Sequence, residues 1–378
     1  MTEPVLTVAA KATTLAEHIC EREPKTELVP YFGARTAHHL DAAENETGAG
    51  MRALLGGAAV HDLGWLRRVA VRGEDRFRWL SGMVTNTVET LPDQTGVYNL
   101  VLNAQGRIQG DAYVWRRGEE LEIVVVAEQY EALMAHFDRF IIMDDVELVA
   151  LEGQSALGIT GPEAGRLVAA FGLPALAQAL TSATGAVSSG RQVLLHRGYG
   201  TVVPHYALWT EAAHVPELWR LIVEAGATPV GAASLETLRI VEGIPAYGVD
   251  IQSRDLAQET GQDRALSFTK GCYLGQEIVE RIRSRGQVHR HLRPIELIPD
   301  GKFEIPLAGT ELRGATDSSK TAGVLTSVAS MQLDGVQRIF GIAMIRAEAE
   351  VGNRPLAYSG GTARILNAPP ELMKSTAT

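Results

Sequence analysis

The stretch Lys270-Gly271-Cys272-Tyr273-Leu274-Gly275-Gln276-Glu277 gathers an ammonium, a thiol, an amide and a carboxylate around two glycines. The residues that follow, Glu277-Ile278-Val279-Glu280-Arg281-Ile282, read as a helix with Glu277 and Arg281 four apart. Cys272 then lies just before a helix N-terminus. Unpaired backbone N–H groups and the Lys270 ammonium there favour thiolate over thiol, the setting of a reactive cysteine. The alternative is a small buried hydrophobe in a tight loop.

A second constellation is Leu102-Asn103-Ala104-Gln105-Gly106-Arg107-Ile108-Gln109-Gly110-Asp111, which reads as strand, turn and strand. It places Asn103 and Asp111 on paired strands, where an amide and a carboxylate can face a heterocycle together. An ordinary hairpin with a surface carboxylate fits the same residues. In a third stretch, Leu238 to Asp250, charges at Arg239, Glu242 and Asp250 flank an apolar centre kinked by Gly243 and Pro245. Such a segment suits a helix end at a ligand cavity, or a plain inter-domain connection. Arg281, Arg283, Arg285, Arg290 and Arg293, with His289 and His291, form a basic strip suited to a small polyanion, or to a solvated face.

These residues need elements to position them. Over the first 55 residues a short helix near Leu15 to Cys20 and a polar, Gly- and Ala-rich stretch from Asp41 to Gly50 read as a surface arm. Val69 and Val71 alternate as in a strand, and Phe77, Leu80, Val84 and Val88 mark a helix face. Strands follow near Val97 to Asn103, Ile108 to Trp115 and Leu121 to Ala127. Tyr130, Leu133, Met134, Phe137 and Ile141 then form an amphipathic stripe, and a strand from Val146 to Leu151 closes the unit. Leu157 to Glu163 reopens the same order of strand, glycine, acid and helix, which predicts a second, related α+β unit. Its further parts are strands near Gln192 to His196 and Thr201 to Trp209, and a helix from Pro216 to Ala225 ending at Gly226. Another helix starts after Ser234 as N-cap. Beyond Arg293, short alternating runs between Gly, Pro, Asp and Ser turns predict a small β domain, and residues 371–378 a frayed tail.

The chain has 378 residues, two cysteines and a formal charge of -10. This composition predicts a folded protein of two or three domains and argues against a nucleic-acid partner. Without an apolar run near 20 residues or a signal-like start, no membrane association is expected, and a cytoplasmic location is. Cys20 and Cys272 are too few for a disulfide framework, and no paired His/Cys spacing offers a metal site. Phosphate loops, Gly-x-Ser-x-Gly and His-Glu-x-x-His are absent.

Jointly the three stretches resemble the YgfZ family of folate-binding proteins, which is similar to the aminomethyltransferase of the glycine cleavage system. Lys270 to Glu277 match that family's Lys-Gly-Cys-(aromatic)-x-Gly-Gln-Glu signature without a substitution. Weaker matches are Gly73 to Arg76, Trp79 to Asn86, and Arg239 to Asp250. The resemblance runs from about His61 through the β domain. It implies an α+β fold of three domains in a ring around a central folate site, two related α+β units followed by a small β-barrel. The implied division is an arm over 1–55, a first domain over 56–151 plus 232–290, a second over 152–231 and a barrel over 291–378.

The resemblance also implies tetrahydrofolate or a one-carbon derivative as cofactor, and iron–sulfur enzymes or cluster-assembly proteins as partners. Carried over residue by residue, Lys270, Cys272 and Glu277 become the catalytic candidates, and Gln276 joins Asn103, Asp111 and Arg239 as cofactor-binding candidates. Two departures stand out. Where aminomethyltransferases have paired Asp residues, this chain has Gly110 before Asp111. Where they have a strand glutamate facing the pterin, it reads Val203-Pro204-His205-Tyr206-Ala207-Leu208. The expected function is therefore support of iron–sulfur cluster assembly or repair through a reactive cysteine beside the folate. The alternatives are a folate-dependent one-carbon transferase and a non-catalytic scaffold.

Overall fold

The computed structural model describes residues 10–40, 48–187, 190–286, 288–301, 304–314, 320–333, 335–351, 354–370 and 372. The chain opens with helix α1 (Thr14–Arg22), the hairpin β1 (Leu28–Tyr31) and β2 (Ala34–Ala37), and α2 (Ala49–Gly56). After β3 (Ala59–Asp62) come β4 (Leu66–Arg72), α3 (Arg76–Met83), β5 (Thr95–Leu102), β6 (Ile108–Arg117), β7 (Glu120–Val126), α4 (Ala127–Asp138) and β8 (Glu147–Ala150). The same order then recurs: β9 (Gln154–Thr160), α5 (Ala164–Ala170), β10 (Thr181–Ala186), β11 (Gln192–Arg197), β12 (His205–Glu211), α6 (Val215–Glu224) and β13 (Thr228–Pro229). Helix α7 (Ala232–Val241) and α8 (Gln276–Arg285) lead to β14 (Arg290–Pro299), β15 (Glu311–Gly314), β16 (Thr321–Leu333), β17 (Val336–Arg346), α9 (Ala347–Glu350), β18 (Leu356–Tyr358) and β19 (Gly361–Ile365).

Strands β14 to β19 close into a barrel, and the other strands from β3 to β13 join in one 11-stranded sheet ordered β13-β3-β9-β12-β11-β10-β5-β6-β7-β4-β8. The repeated element order is matched by the strand order, since β5-β6-β7-β4 and β10-β11-β12-β9 run outward from a shared seam. That seam is narrow, with Thr181 opposite Thr95 and bonds from Gly96 N to Leu180 O and from Ser182 N to Gln94 O. Strand β3 pairs with β9, so residues 59–62 lie in the second half of the sheet rather than with residues 66–150.

Apolar runs bury β5, β7, β9 and β11 along most of their length, whereas β6 alternates over much of its own. In the first half Val69, Val71, Val114, Ile123, Leu133 and Phe137 make one core, and α4 contributes the stripe read from its sequence. In the second half Leu157, Ile159, Leu195, Leu208, Leu218 and Ile222 make another. Ile295, Leu312, Leu325, Ile339 and Ile345 fill the barrel. A further cluster packs α2, α7 and α8 against the barrel's outside.

Several expectations change. The first 55 residues are not a mere arm: Met51, Leu54 and Leu55 enter a main core. The turn of the β1–β2 hairpin has φ +49 at Phe32 and +85 at Gly33, and a Cβ on Gly33 would come within 2.2 Å of Glu128 N. The hairpin tip is thus pressed onto the start of α4, where Glu128 N–H donates to Phe32 O. Helix α3 stops at Met83, short of Val84 and Val88. Helix α7 starts after Gly231, so Ser234 lies inside it and is not its cap. Most of the polar stretch at 41–50 and of the tail at 371–378 lies outside the described residues, but Leu372 is buried in the core. Among the described residues no helix is long and apolar enough to cross a membrane.

Candidate functional site

A cavity of about 320 Å³ opens between the two halves of the sheet, the β1–β2 hairpin and the segment that follows α7. Its walls are aromatic, with Tyr31, Phe32 and Trp65 from the N-terminal side and Tyr98, Tyr113, Trp115, Tyr199 and Tyr247 elsewhere. Of the catalytic and cofactor-binding candidates Asp111 and Arg239 line it, joined by Glu242 of the 238–250 stretch.

Asp111 sits on β6 across from Leu100 of β5. Tyr98 O–H donates to its Oδ2 at 2.6 Å, and Gln129 Nε2 donates to its Oδ1 at 2.8 Å. Gln129 Oε1 in turn accepts the Asp111 N–H at 2.9 Å. A Cβ on the preceding Gly110 would meet Gln129 Oε1 at 2.6 Å and Leu133 Cδ2 at 2.8 Å, so a larger residue there would displace the Gln129 amide from its present position. The amide of Gln129 thus clasps the single carboxylate from the side of Gly110. Burial pushes the Asp111 carboxyl up, against the hydrogen bonds from Tyr98 and Gln129 that favour its charge.

The sequence reading missed Arg264, which brings a positive charge to the same cavity. Its guanidinium carbon lies 3.9 Å from the Tyr199 ring centroid and 4.1 Å from that of Tyr98, so the cation is sandwiched between two aromatic faces. Nη1 also reaches Tyr113 O–H at 3.3 Å. Nothing in the pattern around Gln262 to Ala265 marks this residue, because its partners come from residues 98, 113 and 199.

Arg239 lines the cavity, but its donors are taken up within the chain. Nε and Nη2 hold the Glu236 carboxylate, Nη1 donates to Asp250 Oδ2 and Ile244 O, both at 2.7 Å, and Nη2 donates to Ser327 Oγ at 3.0 Å. Its five N–H donors are spent in tying α7 and the 244–250 loop to β16.

The cysteine motif lies outside this cavity. Cys272 is exposed and free, four residues before the start of α8. Lys270 does not turn to the thiol: Nζ donates to the carbonyls of Ser81, Val84 at 2.6 Å and Asn86 at 2.8 Å. Burial lowers its pKa to about 7, opposed by the charge of Glu89. Gln276 Oε1 accepts the Tyr273 N–H, closing the loop on itself, and Glu277 is exposed. Asn103 Oδ1 accepts the N–H groups of Gln105 and Arg107, so its amide shapes the hairpin turn instead of facing a ligand. That turn packs on the cysteine loop. A Cβ on Gly275 would meet Asn103 O at 2.6 Å, and one on Gly106 would meet Ile278 Cβ at 2.6 Å.

The motif is nonetheless linked to the cavity through Asn86. Lys270 gathers the carbonyls of the 81–86 turn, and Asn86 Nδ2 donates to Arg264 O at 2.8 Å. The loop therefore braces from behind the backbone that presents Arg264. The basic strip is largely neutralised within the chain: Arg290 pairs with Asp255 and Glu259, His291 and Arg293 with Glu350, and Arg283 with Glu280. The side chain of Arg285 lies outside the described residues.

Residues 22–270 match the GCVT N-terminal domain, about two thirds of the chain. The chain belongs to the GCVT family. An aminomethyltransferase of Rubrobacter xylanophilus is 32% identical over 302 residues, 78% of each chain. One from Halalkalibacterium halodurans is 26% identical over 310 residues, 80% of this chain and 82% of the other. The solved glycine cleavage system aminomethyltransferase T of Bartonella henselae superposes with a TM-score of 0.81 at 16% identity, over 96% of this chain and 98% of that one. The two-unit sheet with a closed barrel is therefore the GCVT-type architecture. On that frame, the Tyr98–Asp111–Gln129 cluster and the stacked Arg264 are how this GCVT chain equips the cavity.

Proposed function

We propose that the protein is a tetrahydrofolate-dependent one-carbon transferase of the aminomethyltransferase type, with the reduced pterin held in the aromatic cavity. The observation that carries this reading is Asp111, a carboxylate steered into an aromatic-walled cavity of about 320 Å³ by Tyr98 and Gln129. The residues fit the group. A pterin is a flat heterocycle whose amino group and ring N–H are donors, and Asp111 keeps lone pairs beyond the two that Tyr98 and Gln129 use. The aromatic walls supply apolar surface, and Arg264, held between Tyr98 and Tyr199, supplies a positive charge. When bound, the folate supplies the nitrogens that carry the one-carbon unit. Asp111, its carboxyl raised by burial, can hold or release a proton at an oxygen, while the aromatic walls exclude water.

The test is a calorimetric titration with tetrahydrofolate and its methyl, methylene and formyl forms, followed by turnover of an aminomethyl donor. Binding plus turnover is the expected result, and absence of heat with every folate refutes it.

One observation favours a second reading, support of iron–sulfur enzymes in the manner of the YgfZ family. Cys272 is an exposed thiol within the complete Lys-Gly-Cys motif, placed where a partner protein rather than a cavity ligand can reach it. On this reading the folate site is retained and the thiol acts on a partner's cluster or cysteine. Restored activity of cluster enzymes in a deletion strain by wild type, and not by Cys272→Ser, separates it from simple transfer chemistry.

A further inference from the structure

The loop from β11 to β12 carries Tyr199, one of the two rings that hold Arg264, and its anchor lies outside both strands. Tyr98, the other ring, stands on β5, where the strand ladder and its bond to Asp111 set its place. Tyr199 has no such ladder. Gly198 N–H donates to His205 O at 2.8 Å and closes the loop at its base. A Cβ on Gly200 would fall 2.3 Å from Val203 O and 2.3 Å from His205 Cδ2, so the chain between them folds tightly on itself. His205 then opens β12 as the cross-strand partner of Thr160, whose Oγ1 lies 2.9 Å from His61 Nε2.

The body of the loop is tied to Glu242, the residue that ends α7. The Glu242 side chain is fully buried, and its Oε1 accepts the N–H groups of Val202 at 3.1 Å and Val203 at 3.2 Å. Its Oε2 lies 2.9 Å from His205 Nε2, and its backbone O accepts the Thr201 O–H at 2.9 Å. Val203 also enters the core, but apolar burial has no direction, whereas these bonds fix the loop in distance and angle. Tyr199 and Glu242 line a second cavity of about 320 Å³ as well, together with Thr201, Gln262 and Arg293. The loop is thus the wall between two cavities.

We propose that Glu242 is a positioning residue of the cavity, pinning the 198–205 loop so that Tyr199 holds the Arg264 charge against Tyr98. The loop has two neighbouring N–H groups without a ladder partner, and the helix end supplies the buried acceptor that both require. The guanidinium carbon of Arg264 lies 3.9 Å from the Tyr199 centroid and 4.1 Å from that of Tyr98, so even a small shift of the loop removes one of its two faces. The consequence for a pterin rests on the folate reading; the stack itself does not.

The test has a ligand-free arm and a folate arm, both on the full chain. In carbon NMR of arginine-labelled protein without ligand, Arg264 shows the ring-current shift of a guanidinium between two rings. Tyr199→Leu removes about half of that shift, one ring of two, and Glu242→Ala does the same. Glu242→Gln, whose amide oxygen still accepts from Val202 and Val203, retains it. If the alanine variant does not fold, Glu242→Asp, one methylene short of the loop, gives the same loss. An unchanged Arg264 signal in folded Glu242→Ala or Glu242→Asp overturns the proposal. In tetrahydrofolate titrations Glu242→Ala and Tyr199→Leu each bind about tenfold more weakly, and the double variant again about tenfold, because one change acts through the other. Losses that multiply give Glu242 a role independent of Tyr199 and overturn the proposal. A wild type that binds no folate overturns the folate reading alone, and the Arg264 signal still decides the positioning role.

Discussion

Replacing Arg239 with methionine tests whether this residue is a clamp or a ligand-binding group. Methionine matches the length of the side chain's apolar part and removes all five N–H donors. Glu236 is partly exposed and re-solvates, but Asp250 is 1% exposed and loses its cationic partner. Asp250 keeps the Ala246 N–H at 2.9 Å and the hydroxyls of Thr326 and Ser327 at 2.5 and 2.7 Å. Breaking a buried pair costs about 3–5 kcal/mol, and the three remaining donors place this case near ~3 kcal/mol. With an unfolding entropy of about 2.1 cal/mol/K per residue, a cooperative transition of the whole chain shifts down by about 4 °C. Arg239→Lys recovers little of that loss, because an ammonium cannot span Glu236, Asp250 and Ser327 together. Differential scanning calorimetry reads the shift, and tetrahydrofolate affinity within about threefold of wild type accompanies it. An unchanged Tm in Arg239→Met, or a tenfold loss of folate affinity at unchanged Tm, refutes the reasoning and returns Arg239 to the ligand.

Asp111→Asn removes a charged acceptor worth about 1.5–3 kcal/mol, so tetrahydrofolate binding weakens by roughly 10- to 150-fold in calorimetry; equal affinity removes Asp111 from the pterin site. Gly106→Ala combines φ +70 with a Cβ 2.6 Å from Ile278, and lowers the urea midpoint by more than Gly153→Ala, where φ is +74 but the space is open. Because the folded pKa of His61 is lowered to about 4 from 6.5, the unfolded chain binds more protons between those values. His61 thus contributes stability that is present above pH 6.5 and lost as pH falls towards 4, by about 3 kcal/mol, a slope that His61→Gln flattens in urea titrations. Cys272→Ser, at an exposed position, leaves Tm and folate affinity near wild type; a large change in either places the thiol in the fold or the cavity.

Much of the architecture was legible in the sequence. The stripe from Tyr130 became α4, which ends at Asp138 before reaching Ile141, the alternating runs at 97–103, 108–115 and 121–127 became a meander, and the turns after Arg293 became a closed barrel. The repeated opening at Leu157 to Glu163 announced a second unit of the same element order. What failed were readings at chain segments whose role depends on distant partners. The N-terminal arm is folded against α4 and the cavity because Phe32 and Gly33 turn tightly there, and Ser234 is inside a helix because packing of 231–233 extends α7 by a turn's worth of residues.

The candidate site divides along the same line. Asp111 was identifiable because a carboxylate beside a glycine in a polar hairpin is a local pattern. Asn103, Gln276 and Lys270 were recognisable as motif residues, yet motif membership does not say where a side chain points. Each is satisfied by nearby backbone, which turns it from chemistry to bracing. Arg264 and Tyr199 carry no local signal, while Glu242 stood out only as one charge of the 239–250 stretch and His205 only within the strand that lacks a glutamate. Their significance arises when residues 98, 199 and 264 stack, and when strand register sets 205 beside 160 and 61. The amino-acid sequence determined most of the elements and the thiol motif, since periodicity and turn chemistry act over a few residues, while the exposure of Cys272 came from the fold. The tertiary structure alone decided which charges share the cavity, because strands distant in sequence meet only through the sheet's pairing.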